Sequence, residues 1–348
     1  MPNTRIGGIG CYIPSQTVDN FELEKILDTS DSWITERTGI RKRHYAKRFE
    51  ETSTTLGVKA AQIAIDRANI TVEDVDFIIF ATLSPDYFFP GCGVLLQRAM
   101  KMRSIGALDV RNQCSGFIYG LSVADQFIKT GMYKNILLVG SEVQSFGLDF
   151  SNKSRHVSVI FGDGAGAVVL QPTEKQGQGV LSTHLHSDGS DAELLSMQNP
   201  GFHGGIHGGI SYKAPAIPFG GAFIPEEVAE MKDFAPTMDG QTVFRKAVEK
   251  FPEVVMEALC TNGYSPKDLD LLIPHQANLR ISQFVQKKLG LRDEQVFNNI
   301  QKYGNTTAAS IPIALNEAWE EGKVKENDLL CLAAFGSGFT WASALLRW

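Results

Sequence analysis

The sequence predicts an α/β protein whose two related halves stack into a five-layered α/β/α/β/α sandwich. Continuously apolar segments of strand length alternate with helical segments, as expected of strands that are buried on both faces. This alternation occurs twice along the 348 residues, once on each side of a polar, glycine-rich stretch near residues 170–180. Parallel-type sheets that enclose helices accommodate such a pattern.

The two halves also match in detail. An apolar strand is predicted in D-V-D-F-I-I-F-A-T-L, which starts at Asp74, and again in D-L-D-L-L-I-P-H-Q-A-N, which starts at Asp268. Two helical segments then open at Cys114 and Asn305, and each is followed by a glycine, the residue preferred just past a helix end, after the same interval of 17 residues. We therefore predict an internal duplication with halves 1–175 and 176–348, in which Cys114 and Asn305 are counterparts.

One irregular segment interrupts the second half. Residues from about 201 to 236 combine glycine and proline clusters with scattered apolar side chains. Loops of this length are uncommon unless they carry function. We expect an inserted flap over the pocket, with packing on a second copy of the chain as the alternative.

Composition excludes several classes of protein. With 43% hydrophobic and 21% charged residues the chain resembles an ordinary globular protein, and its net charge of −6 argues against a nucleic-acid partner. The five scattered cysteines form no C-x-x-C pair, so we expect neither a disulfide framework nor a metal site. No apolar stretch reaches the ~20 residues of a membrane helix. We expect a cytoplasmic enzyme without membrane insertion.

Three polar residues are candidates for catalysis because of their positions at the start of a helix or the end of a strand. Cys114 would lie in the first turn of a helix, where free N–H groups and the helix dipole favour a thiolate, although a buried structural thiol is the alternative. His275 interrupts a strand that should be apolar. Its ring N–H and the amide N–H of Asn305 could both donate to one enolate oxygen, as required once a malonyl thioester has lost CO₂.

Eight strings in chain order extend these observations: D-T-S-D-S-W-I, R-T-G-I-R, C-S-G-F, F-G-D-G-A-G-A, H-S-D-G-S, P-H-Q-A-N-L-R-I, Y-G-N-T-T-A-A-S-I-P and F-G-S-G-F-T-W. They resemble β-ketoacyl-[acyl-carrier-protein] synthase III over almost the whole chain. The resemblance implies a thiolase fold, a homodimer and a catalytic triad of Cys114, His275 and Asn305. It further implies ping-pong kinetics with acyl-CoA first and malonyl-acyl carrier protein second, and no cofactor beyond the CoA thioester substrate.

The resemblance also implies a CoA site. In the family an indole and a guanidinium enclose the adenine, and the matching residues are Trp33 and Arg155, with Arg37 near the phosphates. Aromatic faces stack on bases, and arginine holds phosphate through two hydrogen bonds. The tunnel from this site towards the nucleophile would involve Gln241, where the family has asparagine, and Phe244, Ala277 and Asn278.

Two further groups of residues follow from the resemblance. A basic patch beside the tunnel, matched by Arg245, Arg280 and Lys287, would dock the acidic carrier protein. The backbone N–H groups of Cys114 and Ser337 would form an oxyanion hole for acyl transfer. The family usually has glycine at the position of Ser337, but a backbone donor tolerates that difference.

Some features depart from the family or permit other interpretations. Arg111, Asn112 and Gln113 stand before the nucleophile, where the family has small apolar residues, so the identity of the primer stays open.

F-G-D-G-A-G-A lacks the spacing of a dinucleotide-binding loop and is interpreted as tight strand packing. Two alternatives remain: a specialised enzyme that condenses longer or unusual acyl chains in secondary lipid or polyketide biosynthesis, and a non-catalytic subunit that binds acyl carriers. The intact triad argues against the second.

Overall fold

The structure is a computed structural model and describes residues 2–197 and 236–348. Apart from Pro236, the flap predicted at about 201–236 lies outside the described residues. The helices are α1 (Asn20–Glu24), α2 (Asp31–Thr38), α3 (Ser53–Arg67), α4 (Cys92–Ala99), α5 (Gly116–Lys129), α6 (Arg155–Ser158), α7 (Gly240–Thr261), α8 (Leu279–Leu289), α9 (Ile300–Tyr303) and α10 (Ser310–Glu320). The strands are β1 (Asn3–Tyr12), β2 (Gln16–Asp19), β3 (Lys42–Tyr45), β4 (Phe77–Ala81), β5 (Gly106–Val110), β6 (Ile136–Glu142), β7 (Gly164–Thr173), β8 (Gly179–Ser187), β9 (Leu195–Ser196), β10 (Thr237–Met238), β11 (Leu271–Pro274), β12 (Leu329–Gly336) and β13 (Thr340–Arg347).

Two mixed sheets carry the duplication. The first has the strand order β1-β7-β6-β4-β5, and the second has the order β8-β13-β12-β11. In each sheet the first two junctions are antiparallel and the next is parallel. A parallel bridge between Leu272 and Val296 occupies the place beside β11 that β5 occupies beside β4. The predicted boundary at 175/176 falls in the loop between β7 and β8.

The helices form three layers around these sheets. The central helices α5 and α10 share one apolar cluster with strands from both sheets, including Phe117, Leu121 and Leu315. Helices α3 and α4 cover the outer face of the first sheet, and α7 and α8 cover the outer face of the second. A helix enclosed on two sides must be apolar over most of its surface, as α5 is. The predicted α/β/α/β/α sandwich of the thiolase fold is confirmed.

The N-termini of the two central helices correct one prediction. Each is preceded by a 3₁₀ turn whose first residue is a non-glycine at positive φ, Gln113 at 46° and Thr307 at 45°. In this register the counterpart of Cys114 is Ala308, so its pairing with Asn305 is wrong by three residues. Helix α10 is three residues shorter than α5, and Asn305 lies two residues before the positive-φ position. Asn305 lies three residues earlier in the register than Cys114, and its helix is three residues shorter. The two differences cancel, so both intervals to the following glycine are 17 residues.

The F-G-D-G-A-G-A segment packs tightly beside the loop of Asn305. A Cβ atom at Gly162 would lie 2.2 Å from the carbonyl oxygen of Tyr303, so only glycine fits. The Gly162 N–H donates to the carbonyl of Asn305 at 3.1 Å, and the Asn305 N–H donates to that of Ile160 at 2.9 Å. The interpretation as tight strand packing is confirmed, and these contacts fix the backbone of Asn305.

Candidate active site

Cys114 lines two cavities. The first, of about 510 Å³, is also lined by His275 and Asn305, and we call it the His275 cavity. The second, of about 570 Å³, is also lined by Arg111 and Gln113, and we call it the Arg111 cavity. The three residues predicted as a catalytic triad are therefore brought to one cavity, and the sulfur is accessible from a second one.

The backbone around Cys114 is closely packed. Cys114 lies in the 3₁₀ turn Gln113–Ser115, directly before α5, and is 8% exposed. A Cβ atom at Gly336 would lie 2.8 Å from the Cys114 Cβ and 3.3 Å from its Sγ, so the end of β12 can approach only as glycine. The N–H groups of Cys114 and Ser337 lie close enough to the sulfur to lower the pKa of its thiol, against the larger effect of burial. The two donors predicted for an oxyanion hole thus converge on the reacting atom.

The ionisation of Cys114 differs from the expectation. Burial, with a smaller contribution from Glu142, raises the pKa of the Cys114 thiol to about 12, and the N–H groups of Cys114 and Ser337 oppose this shift only in part. This contradicts the expectation of a lowered pKa at the helix N-terminus, because removal of water outweighs the two N–H donors beside the sulfur. The resting nucleophile is a thiol.

Glu142 was missed in the sequence, although it ends the apolar strand I-L-L-V-G-S-E. Its fully buried carboxylate accepts hydrogen bonds from the N–H of Leu83 at 3.2 Å and the N–H of Ser84 at 3.1 Å, and from the Ser84 hydroxyl at 2.5 Å. Burial raises the pKa of Glu142. This carboxylate fastens the segment after β4 to the end of β6, beside the nucleophile.

His275 is neutral and held by Ser310, a second residue that was missed. Burial lowers the pKa of His275 to about 3. Its Nδ1 lies 2.6 Å from the Ser310 hydroxyl, and that hydroxyl also accepts the N–H of Gln276 at 3.4 Å. In the tautomer whose Nδ1 accepts the serine proton, the ring proton lies on Nε2. Nε2 is buried and has no hydrogen-bond partner among the described residues.

Asn305 presents a second neutral donor. The residue is 6% exposed, and its Oδ1 accepts the N–H of Thr307 at 2.8 Å. Because the oxygen is engaged in that turn, the amide NH₂ is the part of the side chain available to the His275 cavity. Nε2–H of His275 and this NH₂ can both donate to an oxygen bound there, without transferring a proton.

Most residues predicted for CoA binding line the His275 cavity: Trp33, Arg37, Gln241, Phe244, Ala277 and Asn278. The guanidinium of Arg37 lies 4.5 Å from the centroid of the Trp33 ring. The amide of Asn278 donates to the carbonyl of Arg37 at 2.9 Å, which ties the start of α8 to the end of α2. This contact joins elements of both halves at the cavity.

Arg155 is placed differently from the other CoA residues. Its guanidinium lies 5.6 Å from the centroid of the Trp33 ring but does not line the cavity, and it pairs with the Asp28 carboxylate at 2.9 Å. Enclosure of an adenine between Trp33 and Arg155 would require this side chain to leave Asp28. The exposed pair is weak enough for such a change.

The predicted carrier-protein patch is exposed on two helices that pack together. Arg245 lies on α7, and Arg280 and Lys287 lie on α8. Of the three, only Arg280 lines the His275 cavity, where its guanidinium is 5.7 Å from the centroid of the Phe244 ring. The patch therefore adjoins the cavity through Arg280.

Neither a metal-binding cluster nor a membrane-spanning helix is found among the described residues. Over residues 2–197 and 236–348 there is no group of three or more His, Cys, Asp or Glu side chains suited to hold a metal ion. None of the helices in the same ranges is long and apolar enough to cross a bilayer.

A thiolase fold in which Cys114, His275 and Asn305 line one cavity is the arrangement of an acyltransferase. The chain matches the family descriptions 3-oxoacyl-[acyl-carrier-protein (ACP)] synthase III over residues 108–189 and its C-terminal part over residues 259–348. The protein belongs to the β-ketoacyl-[acyl-carrier-protein] synthase III family, as the sequence motifs predicted.

Individual relatives cover the whole chain. The β-ketoacyl-[acyl-carrier-protein] synthase III of Clostridioides difficile (strain 630) is 42% identical over 99% of both chains. The crystal structure of 3-oxoacyl-[acyl-carrier-protein] synthase III from Aquifex aeolicus VF5 is 43% identical, covers 99% of this chain and 100% of that one, and has a TM-score of 0.87. The priming β-ketosynthase of the R1128 polyketide pathway is 29% identical, with 99% and 96% coverage and a TM-score of 0.86.

The raised pKa of Cys114 predicts how its alkylation depends on pH. Only the thiolate reacts with iodoacetamide, so the rate at Cys114 should rise about tenfold per pH unit from about pH 7 to about pH 9, without a plateau. Intact-protein mass spectrometry over time measures the rate. The variant Cys114→Ala serves to subtract alkylation of the other four cysteines. A plateau below about pH 8 would show that the thiol has a lowered pKa instead.

The contact between Ser310 and His275 predicts a tautomer effect. In Ser310→Ala the ring proton is no longer confined to Nε2, so decarboxylation of a malonyl thioester should fall about tenfold, while acylation of Cys114 changes less. Ser310→Thr, which keeps a hydroxyl, should restore most of the rate. Nitrogen NMR of labelled histidine reports the tautomer directly. Equal losses in both partial reactions, or no rescue by threonine, would mean that Ser310 only supports the fold.

Proposed function

We propose that the protein joins an acyl primer, delivered as acyl-CoA, to the malonyl unit of malonyl-acyl carrier protein and releases a β-ketoacyl product. This is the condensation that initiates fatty acid biosynthesis. The observation that carries the proposal is the position of Cys114 between two cavities, one of which presents the free donors of His275 and Asn305. No resident cofactor takes part, and a cytoplasmic location belongs to the same proposal.

The first half-reaction is acyl transfer to Cys114. The sulfur attacks the thioester carbonyl, the new S–C bond forms, and CoA leaves as a thiol that carries away the proton of Cys114. During the attack the carbonyl oxygen becomes an anion, and the N–H groups of Cys114 and Ser337 are placed to stabilise it. Because the resting thiol has a pKa of about 12, loss of its proton must accompany bond formation.

The second half-reaction uses the His275 cavity. The malonyl thioester loses CO₂, and its carbonyl oxygen becomes an enolate oxygen. His275 donates from Nε2 and Asn305 from its amide, and both remain neutral because neither gives up its proton. The enolate carbon then attacks the acyl carbonyl on Cys114, the new C–C bond forms, and Cys114 leaves as the thiolate, which takes up a proton from water to regenerate the resting thiol. Two fixed neutral donors suit this step, since they stabilise charge only when it develops.

Substrate recognition follows the predicted residues. We assign the CoA moiety to Trp33 and Arg37, with Arg155 joining them once it leaves Asp28. The pantetheine arm would pass Gln241, Phe244, Ala277 and Asn278 on its way to the sulfur. For the acidic carrier protein we assign the patch of Arg245, Arg280 and Lys287, with Arg280 nearest to the cavity.

A homodimer through the first sheet is part of this proposal. Strand β5 is the edge of that sheet, and its Leu108 is exposed. Further exposed apolar side chains are Tyr87, Phe88, Phe89 and Phe146. An open edge with apolar side chains favours pairing with a second chain. Pairing of two β5 strands would extend the sheet across both protomers.

Two alternatives remain from the sequence. A specialised enzyme for longer or unusual acyl chains would keep the same two half-reactions, and the polar Arg111 and Gln113 of the Arg111 cavity favour a primer other than a plain short chain. A non-catalytic subunit would need no free donors at His275 and Asn305. The unpartnered Nε2 of His275 therefore argues against it.

Variants of the triad should separate the two half-reactions. We expect Cys114→Ala to lose acyl-enzyme formation with acyl-CoA, because it removes the nucleophile. His275→Ala and Asn305→Ala should still form the acyl-enzyme, yet lose decarboxylation of malonyl thioester by about 100-fold or more. Intact-protein mass spectrometry follows the first step, and released CO₂ follows the second. Substantial labelling of Cys114→Ala, or parental CO₂ release by either of the other variants, would contradict the proposed roles.

Reversal of charge at Arg280 tests the carrier-protein patch. Arg280→Glu should raise KM for malonyl-acyl carrier protein by about tenfold, and KM for malonyl-CoA far less, because only the carrier presents an acidic surface. The defect should shrink as salt is added. Arg98→Glu is the matched control, because α4 covers the outer face of the first sheet, away from the patch. Equal losses with both donors would instead point to the shared channel.

A further inference from the structure

The Arg111 cavity contains two polar side chains without a polar partner among the described residues, the exposed Arg111 and the half-buried Gln113. Arg111 and Gln113 line it together with Cys114. The Arg111 guanidinium lies 5.8 Å from the centroid of the Phe88 ring, and no carboxylate of residues 2–197 or 236–348 pairs with it within 4 Å. The Gln113 amide likewise has no hydrogen bond within the described ranges. Both groups can donate hydrogen bonds into the cavity.

Other polar groups of this cavity are already engaged. The carboxylate of Asp86 accepts the N–H of Thr54 at 3.0 Å and the hydroxyl of Thr52 at 2.8 Å. The amide of Gln144 donates to Glu142 at 3.1 Å, as does the hydroxyl of Ser84 at 2.5 Å. Arg111 therefore has no ion-pair partner among the described residues, although the Asp86 carboxylate lines the same cavity. Its free N–H donors favour an anionic, oxygen-bearing ligand.

Much of the remaining lining is apolar, and includes Leu83, Val143, Phe146, Phe161 and Leu195. Such walls suit a chain of methylene groups. Arg111 and Cys114 are three residues apart, so their Cα atoms are separated by at most about 11 Å. A short chain on the sulfur would therefore extend into the same cavity that Arg111 lines. A carboxylate at the end of that chain would find its partner at Arg111 rather than be buried unpaired.

We propose that the Arg111 cavity selects a primer with a carboxylate at its far end, namely the mono-CoA thioester of a short dicarboxylic acid. The inference rests on the proposed function, since it takes Cys114 as the acceptor of the primer. The chemistry of acyl transfer is unchanged: the sulfur forms a bond to the thioester carbon, CoA leaves, and the distal carboxylate stays intact. Arg111 binds this carboxylate, and Gln113 donates a further hydrogen bond.

The test compares thioesters of equal carbon number. Acylation of Cys114 by adipoyl-CoA and hexanoyl-CoA, and by glutaryl-CoA and pentanoyl-CoA, is followed by intact-protein mass spectrometry on the full chain. We expect the carboxylated member of each pair to react faster, and Arg111→Gln to lower the ratio within each pair about tenfold. Arg111→Lys, which keeps the charge, should retain part of the ratio. Arg98→Gln, which removes an exposed charge on α4, should leave it unchanged.

The ratio is measured within one preparation, so partial misfolding of a variant does not alter it. The inference is overturned if the parent protein prefers hexanoyl-CoA over adipoyl-CoA, or if Arg111→Gln and Arg98→Gln give the same ratio. Labelling by the monocarboxylic series alone would leave the proposed function intact and remove only this inference. No labelling of Cys114 by either series would overturn the proposed function, and the inference with it.

Discussion

The contact between Gly336 and Cys114 is the constraint on which the site depends. β12 ends within van der Waals distance of the turn that precedes α5, and any side chain at Gly336 would collide with the Cys114 Cβ. This approach brings the Ser337 N–H to the sulfur and closes the space around it. The same closeness removes water, which raises the pKa of the thiol. The position of the Ser337 N–H beside the sulfur and the raised pKa of the thiol are therefore two consequences of one packing arrangement.

Fold prediction from the sequence succeeded because the duplication is expressed in long apolar segments. Strands such as β6 and β12 are buried along their whole length, and no loop or surface segment produces that pattern. Details within the repeat were harder. Equal intervals from Cys114 to Gly131 and from Asn305 to Gly322 indicated equivalent positions, yet α10 is shorter by three residues. The number of residues between two motifs is the combined length of a loop and a helix. It does not reveal how many of those residues belong to each.

Some residues of the candidate site were also predictable from the sequence, and others were not. His275, Asn305 and Cys114 were found because each interrupts or opens an element at a chemically suggestive point, and the structure brings them together. Glu142 and Ser310 were missed because their roles depend on partners distant in sequence, Leu83 and Ser84 for one and His275 for the other. Ionisation was the least accessible property. A helix N-terminus is visible in sequence, but the burial that opposes its effect on Cys114 is a property of the packed site.

The two ionisable residues of the proposed mechanism, Cys114 and His275, are both uncharged before substrate binds. Burial keeps Cys114 a thiol and His275 an uncharged imidazole, since it disfavours the charged form of each. The buried site therefore holds no charge at these atoms before substrate arrives, and its hydrogen-bond donors are fixed by backbone turns and by Ser310. When an anion develops on a substrate oxygen, those donors need no reorganisation and little water competes for it. A buried neutral donor without a partner, such as His275 Nε2, lowers the stability of the folded protein. The same donor stabilises the transition state, because a negative charge develops there on the substrate oxygen.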